Sequence, residues 1–306
     1  MKKNKNLDST EDLVKYIKAV LESIKDIKDD VVVYIMGGRY FFDKTVVFDD
    51  GEMIYKDKSI TSSSVDKSVQ CGTYAMDAGF GAMNFPMIIL NVTSVMLRVD
   101  PENADLYNKR ADECVEDIFK YHVKKDLGCT LESVSLDGTP RLNVTEGRVV
   151  NPGHDIECSW FLMERANQTG DKELHAKAVE IFDMAFQKGW DKEFGGILYF
   201  FDCLGNPPEA YEHDMKLWWP HNEAIIASLK LYKEFGDEKY LKWFEKITDY
   251  AFKHFSDPEF GEWFGYLRRD GKPTEPPCKG CSFKGPFHVM RCLTNVLAMF
   301  DDKMGV

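Results

Sequence analysis

An all-α toroid of helical hairpins, with short β-hairpins at its mouth, is the fold class the sequence predicts. Three observations predict it. Apolar residues recur at helical spacing along most of the 306-residue chain. A Gly-aromatic pattern occurs three times: Leu127-Gly128-Cys129-Thr130-Leu131-Glu132, Phe194-Gly195-Gly196-Ile197-Leu198-Tyr199 and Phe260-Gly261-Glu262-Trp263-Phe264-Gly265. Its glycines stand 67 and 66 residues apart (195−128 and 261−195). Helical segments follow each copy, so the repeating unit is hairpin, loop, inner helix, turn, outer helix. Units of this kind stack side by side and curve into a solenoid or a ring.

The elements follow in order. Residues 8–27 carry Leu13, Ile17, Val20, Leu21 and Ile24 on one face and predict a helix. A hairpin is expected at residues 39–51, and residues 59–81, rich in Ser, Asp and Gly, lack helical patterning. Helices are predicted over 83–99 and 105–123, parted by Asp100-Pro101. The next pair spans 155–167 and 173–188, joined at Gly170-Asp171; the pair after it spans 223–235 and 238–255, joined at Gly236-Asp237. Gly ends one helix and Asp starts the next. Residues 289–300 open a further pair. Asp137-Gly138, Leu204-Gly205-Asn206 and Asp270-Gly271 supply hairpin turns. The chain holds about 4.6 periods (306/66), fewer than the six of a closed ring, which leaves an incomplete ring open as well. No low-complexity linker interrupts it, so residues 1–306 are read as a single domain.

Composition narrows the function. Apolar residues make up 44% of the chain, enough for a packed core. The formal charge of −12 argues against nucleic acid or an anionic membrane as partner. The longest apolar stretch, 85–97, is broken by Asn91, Thr93 and Ser94 and is too short to span a bilayer. Lysines near Met1 precede no apolar segment, so no export signal is read, and a cytoplasmic protein is expected. The eight cysteines lack the density of a disulfide framework, and the single CxxC, Cys278 to Cys281, has no second pair at zinc spacing.

Three histidines follow the repeated glycines at nearly constant distance: His154 (154−128 = 26), His221 (221−195 = 26) and His288 (288−261 = 27). Each is expected just before a helix, and converging imidazoles suit acid–base work near neutral pH. Glu157 lies one turn beyond His154, Arg291 one turn beyond His288, and Glu223 two residues beyond His221. Arg291 or Lys284 would hold a developing oxyanion. Trp160, Trp218, Trp219, Trp263, Phe264 and Tyr266 suit the floor of a sugar pocket as well as ordinary helix packing. The remaining histidines, His122, His175, His213 and His254, read as capping or core residues. Metal ranks below acid–base chemistry, because no His pair sits at i,i+4 spacing, and no metal site is expected. No phosphate-binding loop occurs.

The stretches 147–157, 215–224, 260–267 and 283–289, within a likeness over 83–300, resemble the N-acylglucosamine 2-epimerase (renin-binding protein) family. The resemblance implies an (α/α)6 barrel that interconverts N-acetylglucosamine and N-acetylmannosamine through the open-chain sugar. ATP is implied as an activator and not a reactant, with no cofactor required. It also implies that His154 and His288 are the acid/base pair and Glu223 a functional carboxylate, with Glu157, His221, Trp218, Trp219, Trp263, Arg291 and Lys284 lining the sugar site. Family members begin with further helical hairpins, among them a Gln-Gly-Arg-Gln-type stretch with a site arginine, which this sequence does not match. The front of the domain is therefore expected to be abbreviated, and activity weak unless another chain, as in a homodimer, completes the ring. The alternatives are an epimerase or isomerase of another free sugar, a sugar- or protein-binding remnant of the fold, and, more weakly, a glycosidase of similar shape. That last would need two carboxyls facing each other across the pocket.

Overall fold

The computed structural model describes residues 80–300 apart from 136, 282 and 286. The helix expected at 8–27, the hairpin at 39–51 and the unpatterned segment from 59 to 79 lie outside the described residues. Within them, seven helices form three hairpins and one further inner helix. The hairpins are α1 (Asn84–Val99) with α2 (Ala104–Asp117), α3 (Pro152–Thr169) with α4 (Lys172–Gly189), and α5 (Trp218–Phe235) with α6 (Glu238–His254); α7 is Phe287–Phe300. The inner helices α1, α3, α5 and α7 pack on one another in chain order, and each outer helix packs behind its own partner. This is the helical-hairpin toroid the periodicity predicts.

Local chemistry sets the boundaries. Pro152 opens α3, where its missing N–H costs nothing, and the Asn151 side chain accepts from the amides of Gly153 and His154. Gly170, in the left-handed region, ends α3, and the Asp171 side chain then caps α4. Gly236 and Asp237 repeat the arrangement between α5 and α6. Three starts differ from expectation: α3 begins at Pro152, three residues before 155, α5 at Trp218, five before 223, and α7 at Phe287, two before 289. All three repeated histidines therefore lie inside the first turn of a helix.

Inner and outer helices differ in burial as their patterns require. α5 is buried without a break from Trp218 to Leu229. α6 buries one stripe, Tyr240, Ile247, Tyr250 and Ala251. Short strands tie neighbouring units at one end of the arc. The strand ahead of each inner helix pairs antiparallel with the hairpin of the next unit: β1 (Phe80–Ala82) with β4 (Ser133–Ser135), β5 (Val149–Val150) with β6 (Phe201–Asp202), and β7 (Lys216–Leu217) with β8 (Tyr266–Leu267). A second contact recurs in each unit: β2 (Val123–Lys124) with β3 (Cys129–Thr130), then the bridges Trp190 to Ile197 and Ser256 to Trp263. Its tight turn needs positive φ, which Gly128, Gly195 and Gly261 supply. These ties hold the N-terminal ends of the inner helices together, and there the site lies.

Candidate active site

His154 is the third residue of α3, and its backbone is fixed by the Asn151 cap. Its ring Nδ1 lies 2.8 Å from Oε2 of Glu132, in the short link between β3 and β4. Glu132 is itself pinned: its amide donates to Val149 and its carbonyl accepts from Met83. A carboxylate can only accept, so Nδ1 carries the proton and donates.

α5 and α7 build the second half. Nδ1 of His288 donates to Oε1 of Glu223 at 2.7 Å, and Arg291 donates to the same oxygen at 2.7 Å. The other oxygen of Glu223 accepts from the Trp160 indole N–H at 2.9 Å. Arg291 also pairs with Glu157. Its guanidinium rests over the rings of Trp160, Phe161 and Phe287. Glu157 and Glu223 are both the sixth residue of their helices, counted from Pro152 and from Trp218. Arg291 follows His288 by the same three residues that separate Glu157 from His154 (291−288 and 157−154). One position of the repeat thus holds Glu, Glu and Arg, and the arginine knits the two acids together.

The two halves meet at Trp219. Its ring centroid is 5.0 Å from that of His154 and 5.6 Å from that of His288. The two imidazole centroids therefore lie within 10.6 Å of one another, the sum of those separations. The Pro-Gly-His sequence makes room for this contact. A Cβ on Gly153 would meet the Trp219 ring at 2.6 Å.

The electrostatics separate the groups. Burial pulls the His154 imidazole down, but Glu132, helped by Glu157 and Asp155, outweighs it and the net shift is upward. Burial works to raise Glu132, and His154 brings it below the ordinary carboxylate range. Burial and the neighbouring Glu223 charge push Glu157 up against the pull of Arg291. Glu223 shifts down, because Arg291 and His288 together exceed its burial cost. Glu157, Glu223 and His288 offer ligand atoms within 4.8 Å of one another, a metal-sized cluster, but the Arg291 guanidinium already pairs with both acids there.

Comparison with known proteins now decides the family. The model of the N-acylglucosamine 2-epimerase (GlcNAc 2-epimerase) family matches residues 74–292. The chain belongs to the N-acylglucosamine 2-epimerase family. It is 45% identical over 222 residues to the Bos taurus N-acylglucosamine 2-epimerase, covering 72% of this chain and 52% of that protein. In fold it is similar to a D-mannose isomerase (TM-score 0.62, 21% identity, 72% of this chain and 56% of that one). It is also similar to the cellobiose 2-epimerase of Bacillus thermoamylovorans B4167 (TM-score 0.61, 22% identity, 71% and 53%). The chain spans about half the length of the curated epimerases it matches.

Within this epimerase-family site, His154, His288, Glu223, Glu157, Arg291 and Trp219 come together. The other expected residues do not. His221 is fully buried, its Nδ1 donating to the Leu217 carbonyl at 2.6 Å and its Nε2 accepting from the Ile197 amide at 2.9 Å. Burial drives its pKa down to about 3, so it is a neutral structural group. The reason is register. His154 is the third residue of its helix and His221 the fourth of its own, so His221 corresponds to Asp155 and Pro220 takes the histidine's place. Asp155 is indeed held by the backbone of Thr130, the counterpart of Ile197. Trp263 stacks on Phe255 and packs edge-on against Phe252, away from the histidines. Trp218 is buried and reaches His288 only edge-on, at 6.3 Å. Lys284 is committed to Glu262 at 2.5 Å and presents no unclaimed charge to an oxyanion, whereas Arg291 meets both glutamates through Nη2 alone and keeps Nε and Nη1 without a hydrogen-bond partner.

His122, His175, His213 and His254 bond to Leu131, Glu234, Ala210 and Gly271, as bland readings of them require. Cys278 and Cys281 are exposed and unpaired. Among the described residues no helix is long and apolar enough to cross a membrane. Sequence reasoning missed Glu132 as a site residue. The available signal was its place at the end of the first Gly-aromatic copy, where the other copies carry Tyr199 and Gly265.

Proposed function

We propose that the site epimerises a free N-acylated amino sugar at C2, interconverting N-acetylglucosamine and N-acetylmannosamine. One observation carries the reading. Two imidazoles flank a single tryptophan, and each has its Nδ1 held by a carboxylate, which leaves each Nε2 for the substrate. Inversion at C2 of the open-chain sugar needs exactly one proton removed from one face and one returned to the other. The hydrogen next to the aldehyde is acidic because the resulting carbanion delocalises onto the carbonyl oxygen. A neutral Nε2 of one histidine takes that proton, and the protonated Nε2 of the other delivers one to the opposite face. The reverse reaction exchanges the two roles. Such positioned proton transfer is worth roughly 10²- to 10⁴-fold per group. The likeness to the N-acylglucosamine 2-epimerases of Bos taurus and Homo sapiens supports the amino sugar as substrate.

The reaction leaves a specific trace, since only proton abstraction at that carbon labels it. Incubation in deuterium oxide is expected to place deuterium at C2 of N-acetylglucosamine and of N-acetylmannosamine. His154→Ala and His288→Ala are each expected to abolish inversion. Labelling and inversion that survive both substitutions would overturn the acid–base pair. A folded chain that binds either sugar without labelling it would instead be a binding remnant of the fold.

A further inference from the structure

We infer that Glu132 is a positioning residue, supplied by the hairpin to hold His154 in the one tautomer that exposes Nε2 to the sugar. The inference rests on the epimerase reading for its kinetic consequences but on geometry alone for the tautomer. The repeat itself shows why Glu132 is needed. His288 on α7 takes its carboxylate from Glu223, the sixth residue of the inner helix before it. His154 on α3 faces α1 in the same relation, and the sixth residue of α1, counted from Asn84, is Ile89. An aliphatic side chain cannot orient an imidazole. The structure fills the vacancy from a different element, with Glu132 Oε2 at 2.8 Å from Nδ1.

Three features mark this pair as built for orientation. The Glu132 backbone is fixed through both its amide and its carbonyl, to Val149 and Met83, so the carboxylate reaches His154 from an anchored point. The His154 backbone is fixed by the Asn151 cap. The Trp219 ring lies against the imidazole at 5.0 Å and limits its rotation. His221 shows the alternative fate of a repeat histidine. There both ring nitrogens are consumed by backbone groups and none is left for chemistry. In His154 the carboxylate takes one nitrogen, and the side chain retains partial exposure of 23%. The wrong tautomer, with the proton on Nε2, would place an N–H where a base is required. An orienting carboxylate of this kind is worth up to about 10⁴-fold in kcat in hydrolytic triads.

The test is Glu132→Gln, which keeps shape and removes charge, with Glu132→Asp as the conservative companion. kcat is expected to fall by about 10²- to 10⁴-fold, with KM for N-acetylmannosamine changed less than about threefold and partial recovery in the Asp variant. The bell-shaped pH profile of kcat/KM moves to lower pH in Glu132→Gln, because the carboxylate that stabilises the imidazolium is gone. A structural residue would lower activity without moving the profile. An unmoved profile with wild-type kcat overturns the inference. A second measurement uses the unaltered chain: histidine 15N shifts, assigned by loss of one set in His154→Ala, are expected to show neutral His154 protonated on Nδ1. Protonation on Nε2 overturns the inference whether or not the variants fold. Absence of C2 labelling by the wild-type chain would count against the epimerase reading, and the tautomer measurement would still decide the role of Glu132.

Discussion

Arg291→Met isolates the charge that holds the site together. Glu157 is 2% exposed and Glu223 is fully buried, and Arg291 is the cation paired with both. Methionine keeps much of the packing against Trp160, Phe161 and Phe287 while leaving the acids without their guanidinium. Breaking a buried ion pair by removing one partner costs about 3–5 kcal/mol. For a domain of this size about 1 kcal/mol moves the melting temperature by roughly 2–4 °C, so the variant is expected to melt about 6–20 °C lower at pH 7. The pH dependence has a fixed sign. Without Arg291 the folded carboxyls titrate above their unfolded value, about 4.3 for glutamate. Below that value both states are protonated and the deficit is small; as pH rises, the unfolded chain ionises freely and the folded one resists, so the deficit grows. Thermal melts of wild type and variant from pH 4 to pH 8 read this directly. Glu157→Gln in the Arg291→Met background removes one of the two stranded charges and is expected to restore part of the loss. A deficit under about 2 °C at pH 7, or one that deepens toward acid, would refute the account.

Three other outcomes follow from the same geometry. Gly153→Ala places a methyl group 2.6 Å from the Trp219 ring and 2.9 Å from the Pro220 ring. It is expected to cost about 1–3 kcal/mol and to lower turnover by up to roughly 10²-fold through displacement of the indole, checked by melting and by kcat; an unchanged enzyme would show that Trp219 does not set the spacing. His221→Leu strands the Ile197 amide, at about 1–3 kcal/mol, and removes the ring's bond to the Leu217 carbonyl, which keeps its helical one. Its melting temperature is expected to fall while turnover per folded molecule stays within about twofold, and lost turnover at normal stability would return His221 to the active site. Deuterium labelling at C2, abolished in His154→Ala and in His288→Ala, remains the direct check of the chemistry.

The toroid was legible because its signals are local and repeated. Glycine at positive φ, Gly-Asp junctions and helical stripes recur at one period, and each has a conformational cause that needs no tertiary knowledge. The site was legible only in part, because the period was counted from the wrong landmark. Distances from the hairpin glycines place three histidines in line, but side chains converge by their position in the helix. The loop ahead of α5 is one residue out of step, and that residue turns His221 by about 100° around the helix axis, out of the site and into the hairpin behind it. The aromatic residues fail for a related reason: Trp218 and Trp219 are adjacent in sequence, yet only the second lies between the two imidazoles.

The repeat supplies equivalent backbones, and the chemistry comes from where side chains break the equivalence. Three residues ahead of Glu157 and of Arg291 two units carry histidine, and the middle unit carries Pro220 three residues ahead of Glu223, with Trp219 beside it. At the sixth position, two glutamates alone would repel each other in a buried place; the unit with Arg291 makes the pair tolerable and keeps Glu223 ionised against His288. The α1 unit has Ile89 at that place, and so the hairpin supplies Glu132. The two imidazoles thus obtain the same protonation geometry from different elements. A symmetric arrangement would have given both histidines one environment. Here one carboxylate answers to His154 alone, while the other is shared with Arg291 and Trp160, so under the proposed function the two bases would have strengths that can be set independently.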